Sequence, residues 1–139
     1  MHVNIMLDEG AYIPEQAHVK TDAGYDLRAM TDIYVPSLGK VTADTGVHIE
    51  IPAGYFGDIR PKSGLLFKHN LTTAGTVDCG YTGSVRVRII NLGNEPYQFR
   101  KGDKVAQMVI LPYIAPEFTL VEELGETDRG NGGFGSTGK

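Results

Sequence analysis

Val85-Arg86-Val87-Arg88-Ile89 alternates apolar and cationic side chains residue by residue. In an extended chain successive side chains point to opposite faces. This stretch therefore sets Val85, Val87 and Ile89 against a core and turns both arginines to water, as in a half-buried β-strand. Working outward, short apolar or alternating runs recur at Val3-Asn4-Ile5-Met6, Ile33-Tyr34-Val35, Val47-His48-Ile49-Glu50-Ile51 and Val105-Ala106-Gln107-Met108-Val109-Ile110-Leu111. Turn signals separate them: Pro36-Ser37-Leu38-Gly39, Pro52-Ala53-Gly54, Gly80-Tyr81-Thr82-Gly83, Leu92-Gly93-Asn94 and Lys101-Gly102-Asp103. Helical periodicity is scarce, and one short helix is expected from near Ser63 towards His69. Many short strands at regular spacing predict an all-β sandwich, barrel or jelly roll.

The 139 residues suit one domain. A chain of that length buries roughly two-thirds of its unfolded surface, enough for a real core. No apolar run approaches the ~20 residues of a membrane span, so no membrane association is expected. Met1 to Gly10 has no basic stretch leading into an apolar one, so no secretory signal is expected. A single cysteine, Cys79, cannot staple the fold and points to a reducing compartment. The formal net charge of -4 argues against a polyanion-binding surface, so no direct nucleic-acid binding is expected. It leaves room for a small phosphorylated ligand held by a few local cations.

Glycine is abundant, at 18 residues, and five of these, Gly130, Gly132, Gly133, Gly135 and Gly138, crowd the end of the sequence. Gly130, Gly132 and Gly135 fit G-x-G-x-x-G, and Gly133 to Lys139 fits most of a Walker A motif. Both motifs require a strand before and a helix after, which this segment does not offer. The stretch from about Gly125 reads either as a disordered tail or as a mobile flap. In the flap, glycine backbone wraps phosphate, Arg129 supplies charge and Phe134 stacks on a base.

Other segments carry two readings each. Gly75-Thr76-Val77-Asp78-Cys79-Gly80-Tyr81-Thr82-Gly83 suits a hairpin with Asp78 as a turn residue, or a turn presenting a working carboxylate. Ala23-Gly24-Tyr25-Asp26-Leu27-Arg28-Ala29 suits a strand, with Asp26 as its one carboxylate. Pro61-Lys62-Ser63-Gly64 suits a helix start with Ser63 as N-cap, or a phosphate site built on the uncommitted N–H groups there. Gln107 interrupts an apolar run and must face solvent or hold a partner. The four histidines show no metal spacing, and Cys79 lacks a C-x-x-C partner, so no structural zinc site is expected. Asn70-Leu71-Thr72 fits the glycosylation sequon by chance.

In this order, the segments resemble the five motifs of the trimeric dUTPase family. They are Ala23-Gly24-Tyr25-Asp26-Leu27, Pro61-Lys62-Ser63-Gly64-Leu65, Gly75-Thr76-Val77-Asp78 through Tyr81-Thr82-Gly83, Lys101-Gly102-Asp103-Lys104-Val105-Ala106-Gln107, and Arg129-Gly130-Asn131-Gly132-Gly133-Phe134-Gly135-Ser136-Thr137-Gly138. The resemblance spans nearly the whole chain. It implies a jelly-roll β-domain over residues 1–124 and a flexible tail over 125–139 that closes over a neighbouring subunit's site in a homotrimer. The implied reaction is magnesium-dependent hydrolysis of dUTP to dUMP and pyrophosphate, by water attack at the α-phosphorus. That reaction limits uracil incorporation into DNA and supplies dUMP for thymidylate synthesis. The implied location is the cytoplasm, or the host cytoplasm for a viral source.

The resemblance also implies roles. Asp78 resembles the general base that orients and deprotonates the attacking water. Asp26 resembles the carboxylate that holds waters of a Mg²⁺ ion bound to the triphosphate. Lys62, Ser63, Gly64 and Gln107 fall on phosphate contacts, and the backbone of Gly75, Thr76 and Val77 on the uracil edge. Tyr81 falls under the deoxyribose, where it leaves no room for a 2′-OH. Arg129, Ser136 and Thr137 fall on the γ-phosphate clasp, Phe134 on the uracil stack, and Gly135 among the substrate-binding residues of the same segment. Three positions depart from the family pattern. Lys62 stands where Arg is usual and gives up a bidentate fork. Gly80 stands where a second acidic residue is common, which leaves Asp78 alone in its turn. Thr72 stands where many bacterial members carry Asn, which shifts base reading to the backbone. A dCTP deaminase shares the expected fold but is usually longer and lacks the Gly-Phe-Gly-Ser-Thr tail; dCTP-dependent ammonia release separates the two. A second role, capture of a regulatory protein partner, stays open.

Overall fold

Eleven strands and one helix make up the described residues 1–138 of the computed structural model. They are β1 (Asn4–Leu7), β2 (Tyr25–Arg28), β3 (Ile33–Val35), β4 (Lys40–Asp44), β5 (Val47–Glu50), β6 (Tyr55–Arg60), α1 (Ser63–His69), β7 (Leu71–Ala74), β8 (Thr76–Val77), β9 (Arg86–Asn91), β10 (Tyr97–Phe99) and β11 (Lys104–Pro112). Every named pair is antiparallel. The largest sheet runs β2-β11-β6-β8, a second runs β4-β9-β7, and β1-β5 and β10-β3 form two-stranded ribbons. The fold is a jelly roll, and the expected turns all fall between strands.

The alternation of the opening stretch decides the packing as its period demands. Val85, Val87 and Ile89 are fully buried while Arg86 and Arg88 are exposed. They meet Leu71 of β7 and Ala43 of β4 within one core that also takes Leu27, Ile59, Val77, Met108 and Phe99 from the other sheets. Removing apolar surface from water is what holds the sheets face to face.

Two local expectations need correcting. Helix α1 spans the expected residues, but its N-cap is Lys62, with no side-chain cap hydrogen bond, and Ser63 is its first helical residue. The segment around Asp78 is no hairpin. β8 pairs with β6, through Gly57↔Val77 and Asp58↔Thr76, whereas β9 pairs with β4 and β7. The chain crosses from one sheet to the other through the Asp78 turn. Its glycine-rich signal specifies a reversal but not the partner strand.

Beyond Pro112 the described chain enters no further strand or helix. Ile114, Phe118, Leu120 and Leu124 lie there at 86% exposure or more. A row of large apolar side chains without cover is uncommon on a monomeric surface.

Candidate active site

Asp26 is the most deeply placed charge of the expected set, at 4% exposure on β2. A buried carboxylate needs partners. Here Lys62 Nζ donates to one oxygen at 2.5 Å and Lys104 Nζ to the other at 2.7 Å. Burial pushes the Asp26 carboxyl up, but the hydrogen bonds from Lys104 and Lys62 and their charges outweigh it. Its pKa lies below the ordinary Asp value. A lowered carboxylate pKa contributes stability above the unfolded value, and that contribution is lost as the pH falls through the folded one.

Gln107 joins three of the expected segments. It lies opposite Asp26 on one side and Arg60 on the other, and its side-chain amide donates to the Pro61 carbonyl at 3.0 Å. Gly24 is glycine for the same reason, since a Cβ there would stand 2.2 Å from Gln107 Oε1. Gln107 therefore pins the Pro61-Lys62 turn above the sheet and leaves Ser63 and Gly64 exposed at the start of α1. The space beside Gly64 is open. Asp26, Lys62, Ser63, Gly64 and Gln107 thus converge on one edge of the molecule.

Asp78 does not join them within the same chain. It follows β8, at the opposite edge of the sheet from β2, with β11 and β6 between. Three strand spacings are about 14 Å, and the register offset from Arg60 to Phe56 adds about 13 Å along the strands, so the two carboxylates stand on the order of 20 Å apart. Asp78 is exposed, and its side chain enters no hydrogen bond or ion pair among the described residues. The outer edge of β8 likewise carries no strand. The Gly75 carbonyl accepts from the Ile59 amide at 2.9 Å, and Thr76 and Val77 pair with β6. The backbone groups left on that edge are therefore the ones that alternate outward from the ladder, and the Val77 side chain is buried in the core. Tyr81 is 45% exposed; its hydroxyl donates to the Ser84 carbonyl at 2.8 Å, and its ring lies so close over Gly83 that a Cβ there would stand 2.6 Å from the hydroxyl oxygen.

The same turn is braced from behind by a histidine that sequence reasoning did not single out. His48 directs Nδ1 at the Thr82 carbonyl, 2.8 Å away, and Nε2 at the Asp8 carboxylate, 3.0 Å away. Both partners are acceptors, so both bonds form only when the imidazole carries two protons. The hydrogen bond to the Thr82 carbonyl outweighs the opposing effect of desolvation, and Asp8 and the nearby Asp44 charge add to it, so the His48 pKa lies above its ordinary value. A raised pKa stabilises the fold fully below the unfolded value of ~6.5, and the contribution fades as the pH rises through the folded one. Thermal melts are expected to fall as the pH is taken upward from about 6, and His48→Gln should flatten that slope.

Among the described residues, the C-terminal segment hydrogen-bonds only within itself. Arg129 Nε donates to the Gly132 carbonyl at 2.5 Å, and turns close at Gly132, Ser136 and Gly138. Phe134 is fully exposed and holds a left-handed φ of 52°. Ser136 and Thr137 are exposed, and Gly135 occupies a φ of 87°. None of these residues reaches the rest of the expected site. Lys139, the last residue of the Walker-like pattern, lies outside the described residues.

Comparison with known proteins places the geometry. The dUTPase family model matches residues 11–138. The deoxyuridine 5'-triphosphate nucleotidohydrolase of Nautilia profundicola is 43% identical over 136 residues, covering 96% of this chain and 95% of that protein. That of Finegoldia magna is 41% identical over 143 residues, covering 99% of each. Among solved structures, the Staphylococcus bacteriophage 80alpha dUTPase with dUPNHPP gives a TM-score of 0.89 at 30% identity over 99% of both chains. A mutant dUTPase from phage phi11 of S. aureus, whose structure reveals the coordination of a structural Mg(II) ion, gives 0.82 at 32% identity over 88% of this chain and 98% of that one.

Proposed function

Because the chain belongs to the dUTPase family and is a dUTP diphosphatase, we propose that it hydrolyses dUTP by water attack at the α-phosphorus, in sites built between the chains of a homotrimer. The observation that carries this reading is the separation of Asp78 from the Asp26-Lys62-Gln107 edge. One nucleotide must meet both, and one chain keeps them on the order of 20 Å apart. A neighbouring chain brings its own Asp78 turn to that edge. The uncovered apolar row from Ile114 to Leu124 supports such an assembly.

In this site the Lys62-Ser63-Gly64 turn and Gln107 face the phosphates. The open edge of β8 at Gly75, Thr76 and Val77 reads the uracil, and the Tyr81 ring floors the deoxyribose. Asp78, exposed and without a side-chain partner among the described residues, holds and deprotonates the attacking water; such a positioned base contributes ~10²–10⁴-fold. The tail over 125–139 reaches a neighbour's site, where Arg129, Gly135, Ser136 and Thr137 close on the γ-phosphate and Phe134 stacks on the base.

The described residues contain no group of three or more His, Cys, Asp or Glu able to hold a metal. One carboxylate, Asp26, fits an ion that keeps most of its waters and takes phosphate oxygens, which is the habit of Mg²⁺. When bound, the ion neutralises triphosphate charge and helps fix its conformation. No helix is long and apolar enough to cross a membrane among the described residues. A cytoplasmic location suits the reaction and the lone Cys79. The test is pyrophosphate release from dUTP, with dTTP, UTP and dCTP as controls. Release from dUTP alone, strongly suppressed by EDTA and restored by Mg²⁺, is expected; full turnover after exhaustive chelation would remove Asp26 from its assigned place.

A further inference from the structure

The Asp26 cluster holds one carboxylate and two ammonium groups. One lysine is enough to neutralise Asp26, and Lys62 also lies within charge range of the Asp22 carboxylate. The two lysines are held differently. Lys62 is the N-cap of α1 and immediately precedes Ser63 and Gly64, both exposed, with open space beside Gly64. Lys104 is aimed by a strand irregularity. Gln107 pairs with Asp26 and Ala106 with Leu27, but Arg28 pairs with Lys104, because the register shifts between Lys104 and Ala106. Without that shift, Lys104 and Gln107 would point to opposite faces of the sheet, being three residues apart. The bulge brings both onto the face of Asp26 and buries Val105 and Ala106 in succession. Bulges cost ladder pairing and commonly re-aim a side chain beside an active site.

Resting on the reading of Asp26 given above, we propose that Lys104 is a positioning residue that holds the buried Asp26 carboxylate when Lys62 turns from it to a phosphate oxygen. A buried carboxylate stripped of its last partner is strongly disfavoured. With both lysines present, Lys62 can leave for the triphosphate and Asp26 remains neutralised and directed at the metal's waters. Without Lys104, Asp26 retains Lys62, and neither the phosphate contact nor the hold on those waters forms. Lys104 thus acts through Asp26, and the consequence falls on the magnesium-linked part of nucleotide binding.

Calorimetric binding of α,β-imido-dUTP, in Mg²⁺ and in EDTA, tests this. Wild type should bind tighter in Mg²⁺; Lys104→Met should lose about 10–100-fold of that increment, the range for removing a partner of a metal-directed ligand, with a smaller loss in EDTA from the Lys62 phosphate contact that no longer forms. Lys104→Arg should restore it, and Lys104→Met should add nothing in an Asp26→Asn background. Lys104→Gln serves the same comparison should the Met variant fail to fold. A Lys104→Met protein that keeps the full increment, or a loss that persists in Asp26→Asn, overturns the inference. A merely structural role predicts equal losses with and without metal. A wild type with no increment at all instead sinks the reading of Asp26, and the inference with it.

Discussion

Asp78→Asn should lower kcat for dUTP by at least about a hundredfold while dUTP affinity stays within about tenfold. The substitution keeps size and shape and removes the proton acceptor. The turn offers no substitute, because Cys79, Gly80, Tyr81 and Thr82 supply no second carboxylate. Structural damage is not expected either, since the Asp78 side chain is exposed and bonds to nothing among the described residues. The turn is held through the Asp78 carbonyl, which accepts from the Tyr81 amide at 3.0 Å, and through His48 at Thr82. Steady-state kinetics beside a thermal melt read the two effects separately. Near-normal turnover would assign the base elsewhere.

Deleting Arg129 to Lys139 should cost far more in kcat/KM than in stability. In the described chain this segment contributes nothing to the core, and its hydrogen bonds are local turns. Its glycines carry the largest backbone entropy cost of ordering, so it settles only where new contacts offset that cost. Bound nucleotide offers them. Stacking of an aromatic ring such as Phe134 on a base is worth ~1–3 kcal/mol, and Arg129 adds charge-assisted bonds to phosphate. Closure also shuts water out and fixes the reacting phosphorus. A melting temperature near that of the full chain, with kcat/KM lowered by at least about tenfold, is the expected pair of results. Unchanged kinetics would make the segment a dispensable end.

Much of this was legible in one dimension because the decisive signals are local. The alternation of Val85 to Ile89, the helix at Ser63 to His69 and the turns at Pro52 and Gly102 each depend on a few neighbouring residues. Strand β6 was harder, because Gly57 and Asp58 are poor strand formers. Gly57 is there for a tertiary reason: a Cβ would stand 2.8 Å from Met108 Sδ. The partner of β8 was illegible, since a reversal signal does not say which strand receives the chain. The direction of Lys104 is equally hidden in one dimension. Its direction is set by a register shift against β2, and only the pairing reveals that it shares a face with Gln107. A polar Gln107 within an apolar run must face solvent or hold a partner, and the Pro61 carbonyl is that partner. In the sequence His48 shows only a lack of metal spacing, because its two acceptors lie far off, at Asp8 and Thr82.

The separation of Asp26 from Asp78 is the geometric fact on which the account rests, and mixed oligomers test it. Asp26→Asn and Asp78→Asn chains, each expected to be nearly inactive alone, are unfolded together in equal amounts and refolded. If a site takes Asp26 from one chain and Asp78 from another, random assortment gives intact pairs at about a quarter of sites, and about a quarter of wild-type turnover should return. If both residues serve from the same chain, no intact site can form, and a mixture no more active than its two parents would contradict the account.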